Sequence, residues 1–230
     1  MNAHFHPSLA ARPAELCQLV GNYSGKLPDG DWFAEEKIDG WRSIYVPAGN
    51  GRKKLLTRNG IPIEGVGHIL HRLDAMEREA GCPMFFDGEF QVDGTLEATK
   101  QWCERDWKCG GEAGTFYLFD AMPLSLWQEG GTSTPWHARR KALEHLFDET
   151  GGLSGQSSWE WREGTRGKEP AGPHVVPLSW EYVTSHEDAM SIAQRVWSKD
   201  GEGIVLKKAD APYVRDRSNV WMKVKRAGVR

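Results

Sequence analysis

The segment Trp32-Phe33-Ala34-Glu35-Glu36-Lys37-Ile38-Asp39-Gly40-Trp41-Arg42 holds a strand, a turn and the start of a second strand. Its aromatic and apolar residues carry Trp32 to Ile38 as an extended element, and Asp39-Gly40 marks a turn. Trp41 to Val46 continues as a strand, so the two are expected to pair like a hairpin. A lysine at the end of such a strand can point its amine into a cleft. That amine is a nucleophile only when deprotonated, which requires burial or neighbouring cations. Arg42 and the later lysines are candidates for those cations. Alone, Lys37-x-Asp39-Gly40-x-Arg42 is better read as a surface lysine before an ordinary turn.

Working outward, Lys54 to Thr57 reads as a strand closed by the turn pair Asn59-Gly60. Ile69, Leu70, Leu73 and Met76 recur at helical spacing, so Ile69 to Ala80 is expected to be a helix. Met84 to Phe86 and Phe90 to Val92 flank Asp87-Gly88-Glu89 as a buried strand. Phe116 to Leu124 is a further strand. Trp136 to Thr150 is a helix with Ala142, Leu143, Leu146 and Phe147 on one face. Leu153 to Gly172 is rich in Gly, Ser and charge and reads as an exposed loop. His174 to Pro177, Gly203 to Lys207 and Val220 to Lys225 are strands, and Glu187 to Asp200 is a helix. The order lacks regular βαβ alternation, so an α+β architecture of largely antiparallel sheets fits best.

Composition bounds the function classes. The chain has 230 residues, 39% of them hydrophobic and 27% charged, as in an ordinary globular protein. No run approaches the roughly 20 apolar residues of a membrane helix. Residues 1–10 hold no apolar signal core, so an intracellular, cytoplasmic location in a bacterial or phage-infected cell is expected. The four cysteines form no C-x-x-C pair and are expected to be reduced structural thiols. Lys and Arg number 29 against 32 Asp and Glu, a net charge of −3. A nucleic-acid binder often carries a basic excess, so any such surface must be local. The segment from Lys207 to Arg230 is the basic one.

Several further patterns carry chemistry. Thr57-Arg58-Asn59-Gly60 places Arg58 after a strand, where it can meet a phosphate; a hairpin turn with a solvated arginine explains it better alone. Phe86-Asp87-Gly88-Glu89-Phe90 wedges two carboxylates between aromatics, and acidic residues are seldom fully buried unless paired. A sugar or metal contact and a solvated turn explain it about equally. In Tyr117-Leu118-Phe119-Asp120 an aromatic can stack on a base, though a core aromatic is the stronger reading. Asp200-Gly201-Glu202-Gly203 sets a carboxylate between glycines, a disposition that suits Mg²⁺ or a flexible turn. Trp221-Met222-Lys223-Val224-Lys225 puts Lys223 and Lys225 on one strand face. A triphosphate between them relieves their repulsion, while an edge strand also favours lysine.

The order of these patterns is more informative than any one of them. Lys37-x-Asp39-Gly40-x-Arg42, Arg58-Asn59-Gly60, Asp87-Gly88-Glu89, Phe119-Asp120, Glu202-Gly203-Ile204-Val205-Leu206-Lys207 and Trp221-x-Lys223-x-Lys225 together resemble the covalent nucleotidyltransferases: DNA ligases, RNA ligases and capping enzymes. The resemblance spans about Trp32 to Arg226. Within that superfamily the chain looks most like small phage-type or bacterial ATP-dependent DNA ligases. Glu202-Gly203 is their form of the motif, and Ala211-Pro212-Tyr213, Arg217-Ser218 and Trp136 to Leu143 resemble theirs too.

The resemblance implies an α+β nucleotidyltransferase (ATP-grasp-like ligase) domain of largely antiparallel sheets with flanking helices, covering residues 1–230. It implies ATP and Mg²⁺, with Mn²⁺ able to substitute, and nicked duplex DNA as partner, in a monomer. Lys37 would attack the α-phosphate of ATP, with Asp39 and Arg42 also in the catalytic motif. Glu35 would read the adenine and Phe119 stack on it. Arg42 and Arg58 would contact phosphate and the nicked strand, and Arg217 the nucleic acid. Glu89 would hold the ribose or help with metal, and Glu202 would serve the metal. Lys223 and Lys225 would grip the α-phosphate. Sealing of a 3′-hydroxyl/5′-phosphate nick would proceed through lysyl-AMP and a DNA-adenylate, as in replication, repair and recombination.

Ligases of this kind normally continue into an OB-fold domain, and no such domain or its motif is found between Met1 and Arg230. The chain then reads as a fragment or as a minimal enzyme, which would bind DNA weakly and with strong salt dependence. An RNA ligase shares the same motifs. A degenerate domain that binds nucleic acid without chemistry is the alternative from another class, and intact Lys37, Glu202, Lys223 and Lys225 argue against it.

Overall fold

The computed structural model describes residues 16–47, 52–150 and 174–226. Strand β2 (Trp32–Glu36) and strand β3 (Trp41–Pro47) are joined by the Asp39-Gly40 turn but enter different sheets. The expected hairpin does not form. A Cβ on Gly40 would lie 2.3 Å from the carbonyl oxygen of Phe90, so the turn is pressed against the neighbouring sheet and only glycine fits.

The first sheet runs in the order β1 (Leu19–Asn22), β12 (Arg217–Lys225), β10 (Gly203–Lys208), β2 and β9 (Trp180–Val183). The second runs β4 (Lys53–Thr57), β3, β5 (Met84–Gln91), β6 (Thr115–Pro123) and β8 (Val175–Pro177). Strands β7 (Gly131–Thr132) and β11 (Tyr213–Val214) form a short extra pair. All pairings are antiparallel except β1 with β12 and β6 with β8. The helices are α1 (Gly67–Ala80), α2 (Leu96–Glu104), α3 (Leu124–Gln128), α4 (Trp136–Glu149) and α5 (His186–Trp197).

Strand alternation separates the core into three parts. Between the sheets, Ile44, Val46 and Phe85 of the second meet Trp221, Phe33 and Val205 of the first. The opposite face of the second sheet, with Phe86, Phe90 and Leu118, packs on Ile69, Leu73 and Met76 of α1 and Leu143 and Phe147 of α4. The opposite face of the first sheet, with Ala34, Ile204 and Met222, packs on Ala189, Ile192 and Val196 of α5. The α+β architecture read from the sequence is the observed one.

Some details differ from the expectations. Ala142 of α4 is exposed, and Arg139 and Arg140 are buried on that helix instead. Their charges are paired there, which is what permits their burial. Strand β12 is flanked on both sides, so its lysines do not belong to an edge strand. Strands β1 and β9 and helices α2 and α3 were not anticipated. Helix α2 does carry a start signal, since Thr95 Oγ1 accepts from the Ala98 N–H at 3.1 Å. Among the described residues none of the cysteines forms a disulfide. The loop expected over residues 153–172 lies outside the described residues.

Candidate active site

Antiparallel pairing of β2 with β10 sets Glu36 opposite Ile204. It thereby brings the end of β2 beside the residues that precede β10. The Lys37 N–H donates to the Gly203 carbonyl at 2.9 Å, which pins the lysine next to Glu202. Gly203 has φ 142°, and a Cβ there would lie 2.0 Å from the Val224 carbonyl oxygen. Glycine is therefore required for β10 to start so close to β12.

The side chains converge accordingly. Lys37 Nζ donates to Glu202 Oε2, and Lys225 Nζ pairs with Glu202 Oε1. One carboxylate thus bridges two ammonium groups from different strands. Burial pushes the Glu202 carboxyl up, but the bonds from Lys225 and Lys37 outweigh it and hold the carboxyl below its ordinary range. Lys223, on the same face as Lys225, has its ammonium pushed down by burial and by the charges of Lys225, Lys37 and Arg217.

These residues open on a cavity of about 280 Å³ between the two sheets. Lys37, Lys223, Lys225, Arg42, Arg58, Glu89, Glu35 and Phe119 all line it. Glu89 is partly buried on β5, and desolvation raises its carboxyl to about 7 against the pull of Lys37 and Arg42. Arg58 is exposed at the end of β4. The structure therefore assembles most of the residues singled out in the sequence.

Two of them lie elsewhere. Asp39 is not among the residues lining the cavity. Its carboxylate accepts from the Leu96 N–H at 3.3 Å and its carbonyl from Gln91 Nε2 at 2.9 Å, so it braces the turn against α2. Arg217 is exposed and outside the lining, with Nη1 donating to the Val20 carbonyl at 2.7 Å.

Arg42 plays a different part from the free cation expected beside Lys37. Its Nε and Nη2 each donate to the Asp87 carboxylate at 2.7 Å, a bidentate pair. Asp87 is fully buried and also accepts from Tyr213 Oη at 2.5 Å. The Asp87-Gly88-Glu89 pattern thus divides its labour: Asp87 anchors Arg42, and Glu89 faces the cavity. The Arg42 guanidinium in turn sits 4.4 Å from the Phe119 ring centroid.

Sequence reasoning passed over the floor of the cavity. Lys207 is 1% exposed and lies 4.2 Å from the Trp221 ring centroid and 4.6 Å from that of Phe119. Its Nζ is 2.5 Å from Glu35 Oε2. Arg140 Nη1 donates to Glu35 Oε1 at 3.0 Å. A lysine closing an otherwise apolar strand and an arginine pair inside α4 were the available signals.

The family model for the ATP dependent DNA ligase domain matches residues 13–225. The chain belongs to that family. Several solved DNA ligase structures share its fold. The structure called Pmar-Lig_Pre superposes with a TM-score of 0.71 at 23% identity, covering 91% of this chain and 46% of that one. The ATP-dependent DNA ligase from bacteriophage T7, in complex with ATP, gives 0.62 at 15% identity over 92% of this chain and 68% of that one. Chlorella virus DNA ligase-adenylate gives 0.62 at 19% identity over 91% and 66%. This ligase domain therefore spans about half the length of Pmar-Lig_Pre and about two thirds of the two viral enzymes. Among curated proteins, no match is found. Among the described residues no helix is long and apolar enough to cross a membrane.

Proposed function

We propose that this ligase domain uses ATP to form a lysyl-AMP on Lys37 and passes the AMP to the 5′-phosphate of a nick in duplex DNA. The observation that carries the reading is the convergence of Lys37 and Lys225 on Glu202 at the mouth of a cavity lined by Lys223, Arg58 and Glu89. Transfer of a nucleotidyl group depends on positioning and charge neutralisation more than on proton transfer. A cavity that gathers five cationic side chains (Arg42, Arg58, Lys207, Lys223 and Lys225) beside a lysine on a fixed strand end supplies both.

In this reading Lys37 Nζ, as the neutral amine, forms a bond to the α-phosphorus while the bond to the β-phosphate oxygen breaks; pyrophosphate leaves, and the proton lost from the nitrogen passes to solvent. Lys223 and Lys225 bear on the α-phosphate and balance charge as it develops. The 5′-phosphate oxygen of the nick then attacks the same phosphorus, breaking the P–N bond and returning the amine to Lys37. The 3′-hydroxyl finally attacks the 5′-phosphate and AMP departs. Arg58, exposed at the rim, would meet the nicked strand. Phe119 forms part of the wall against which the base would stack, sharing its ring with, or displacing, Arg42 or Lys207.

Glu89 and Glu202 fit Mg²⁺ arriving with the nucleotide, since that ion takes one or two carboxylates plus phosphate oxygens and water. Among the described residues no group of three or more acidic, His or Cys side chains forms a cage of its own. The ion would neutralise triphosphate charge.

The test is sealing of matched nicked duplexes, one DNA and one RNA-containing, with ATP and Mg²⁺ at low salt. Sealing of the DNA nick supports the reading. Sealing only where RNA is present assigns the domain to RNA. Absence of any AMP on the protein would leave a nucleic-acid-binding relative without chemistry.

A further inference from the structure

We infer that Trp197, the last residue of α5, is a positioning residue for Glu202: its indole N–H, with the chain reversal that ends the helix, fixes the carboxylate that bridges Lys37 and Lys225. The inference rests on the reading of Lys37 as the group that takes up AMP. It goes beyond that reading by assigning a residue outside the cavity lining and outside the ordered sequence patterns.

Glu202 stands between Gly201 and Gly203, and glycine loses more conformational freedom on ordering than any other residue. Yet both oxygens of Glu202 must meet ammonium groups carried by different strands. The backbone around Glu202 therefore has to be held from both sides. On the strand side, the Lys37 N–H donates to the Gly203 carbonyl at 2.9 Å. The helix side supplies the rest.

Helix α5 ends in a Schellman motif. The Gly201 N–H donates to the Val196 carbonyl at 2.9 Å, and the Asp200 N–H to the Trp197 carbonyl at 3.2 Å. Asp200 takes the left-handed conformation, φ 62°, that glycine usually fills at this place. The reversal leads the chain from α5, on the far face of the first sheet, to the start of β10. It is tightly packed: a Cβ on Gly201 would lie 2.3 Å from Val196 Cγ1 and 3.4 Å from Glu36 Oε1.

Trp197 closes the reversal. Its ring packs, partly buried, with Val196 against the core beneath α5, and its Nε1 donates to the Glu202 carbonyl at 3.3 Å. An indole N–H only donates, so it fixes the direction of that carbonyl and of the peptide beside the Glu202 side chain. One carboxylate locates both Lys37 and Lys225, so a backbone shift at Glu202 displaces the two together. Misplaced reacting groups slow the transfer itself. ATP binding, which draws on the rest of the cavity, is spared.

The test follows single-turnover transfer of labelled AMP from ATP onto the full 230-residue chain. Trp197→Phe keeps an aromatic ring and removes the N–H. Its maximal rate should fall by about two- to tenfold, the span of one neutral hydrogen bond, with half-saturating ATP within about twofold of wild type. In a Glu202→Gln background the same change should cause no further loss of rate, while it lowers the melting temperature equally in both backgrounds. A wild-type rate in Trp197→Phe, or a loss confined to half-saturating ATP, would overturn the inference and leave the Lys37 reading standing. A loss of rate of equal size in the Glu202→Gln background would also overturn it, because Trp197 would then act on stability alone. Should Trp197→Phe fail to fold, Gly201→Ala, which disturbs the same reversal, is judged by the same rate and ATP criteria. If the wild type takes up no AMP, the Lys37 reading falls and takes the inference with it.

Discussion

Lys37 donates to the carboxylate of Glu202 across 165 residues of sequence. The same carboxylate holds Lys225 by its other oxygen. The proposed nucleophile and a proposed phosphate-binding cation are thus held by one carboxylate, itself proposed to serve the metal. On that proposal Lys37 must exchange its partner to react.

Lys37→Ala should abolish covalent uptake of labelled AMP. The side chain is partly exposed, so the fold should persist, with an unchanged circular dichroism spectrum and near-native melting. A variant that still becomes labelled would displace Lys37 from the centre of the mechanism.

Phe119→Ala should weaken ATP use by about 1–3 kcal/mol if the ring stacks on the base as other aromatic platforms do. Titration of ATP in the adenylylation assay reads this directly. Because the ring also contacts the cations of Arg42 and Lys207, thermal melting should be followed alongside. An ATP dependence identical to wild type would remove Phe119 from the base site.

Glu89 should make stability fall as pH rises. Its carboxyl is raised by desolvation from 4.5 to about 7, so the folded state favours the protonated form. The stabilising contribution is present in full below about 4.5 and is lost as the pH passes through about 7. Glu89→Gln carries no such titration. Between pH 4.5 and 8 it should gain on the order of 2 kcal/mol relative to wild type, reduced from the full linkage value by solvent access. Parallel stability curves for the two proteins would show that Glu89 is not desolvated.

Asp120→Ala should be among the costlier single changes. Asp120 and Arg139 form a bidentate pair at 2.7 Å and both are buried. Removing the carboxylate strands a buried guanidinium, at about 3–5 kcal/mol. Urea unfolding provides the measurement, and a loss below about 1 kcal/mol would show that water reaches Arg139.

Much of this protein is legible in local pattern. Helical spacing placed α1 and α4, and runs of aromatic and apolar residues bounded by turns placed β2, β3, β5, β10 and β12, because these patterns act over a few residues. Strand alternation put Lys223 and Lys225 on one face, as observed. The ordered chemical patterns along the chain pointed to the ligase family, and the family model agrees.

What the sequence by itself determined is therefore the type of most elements, the family, and the residues with chemistry to offer. Partnership was decided by tertiary structure. Strand β2 pairs with β10 and β9 rather than with its neighbour β3, because each strand must bury its own faces between layers. Arg42 binds Asp87 and not a free phosphate, Asp39 braces a turn, and Lys207 and Arg140 converge on Glu35. The charge pairs follow from desolvation: a charge carried into the interior takes the nearest opposite charge, and that charge can come from a residue 105 positions away, as Arg140 does for Glu35.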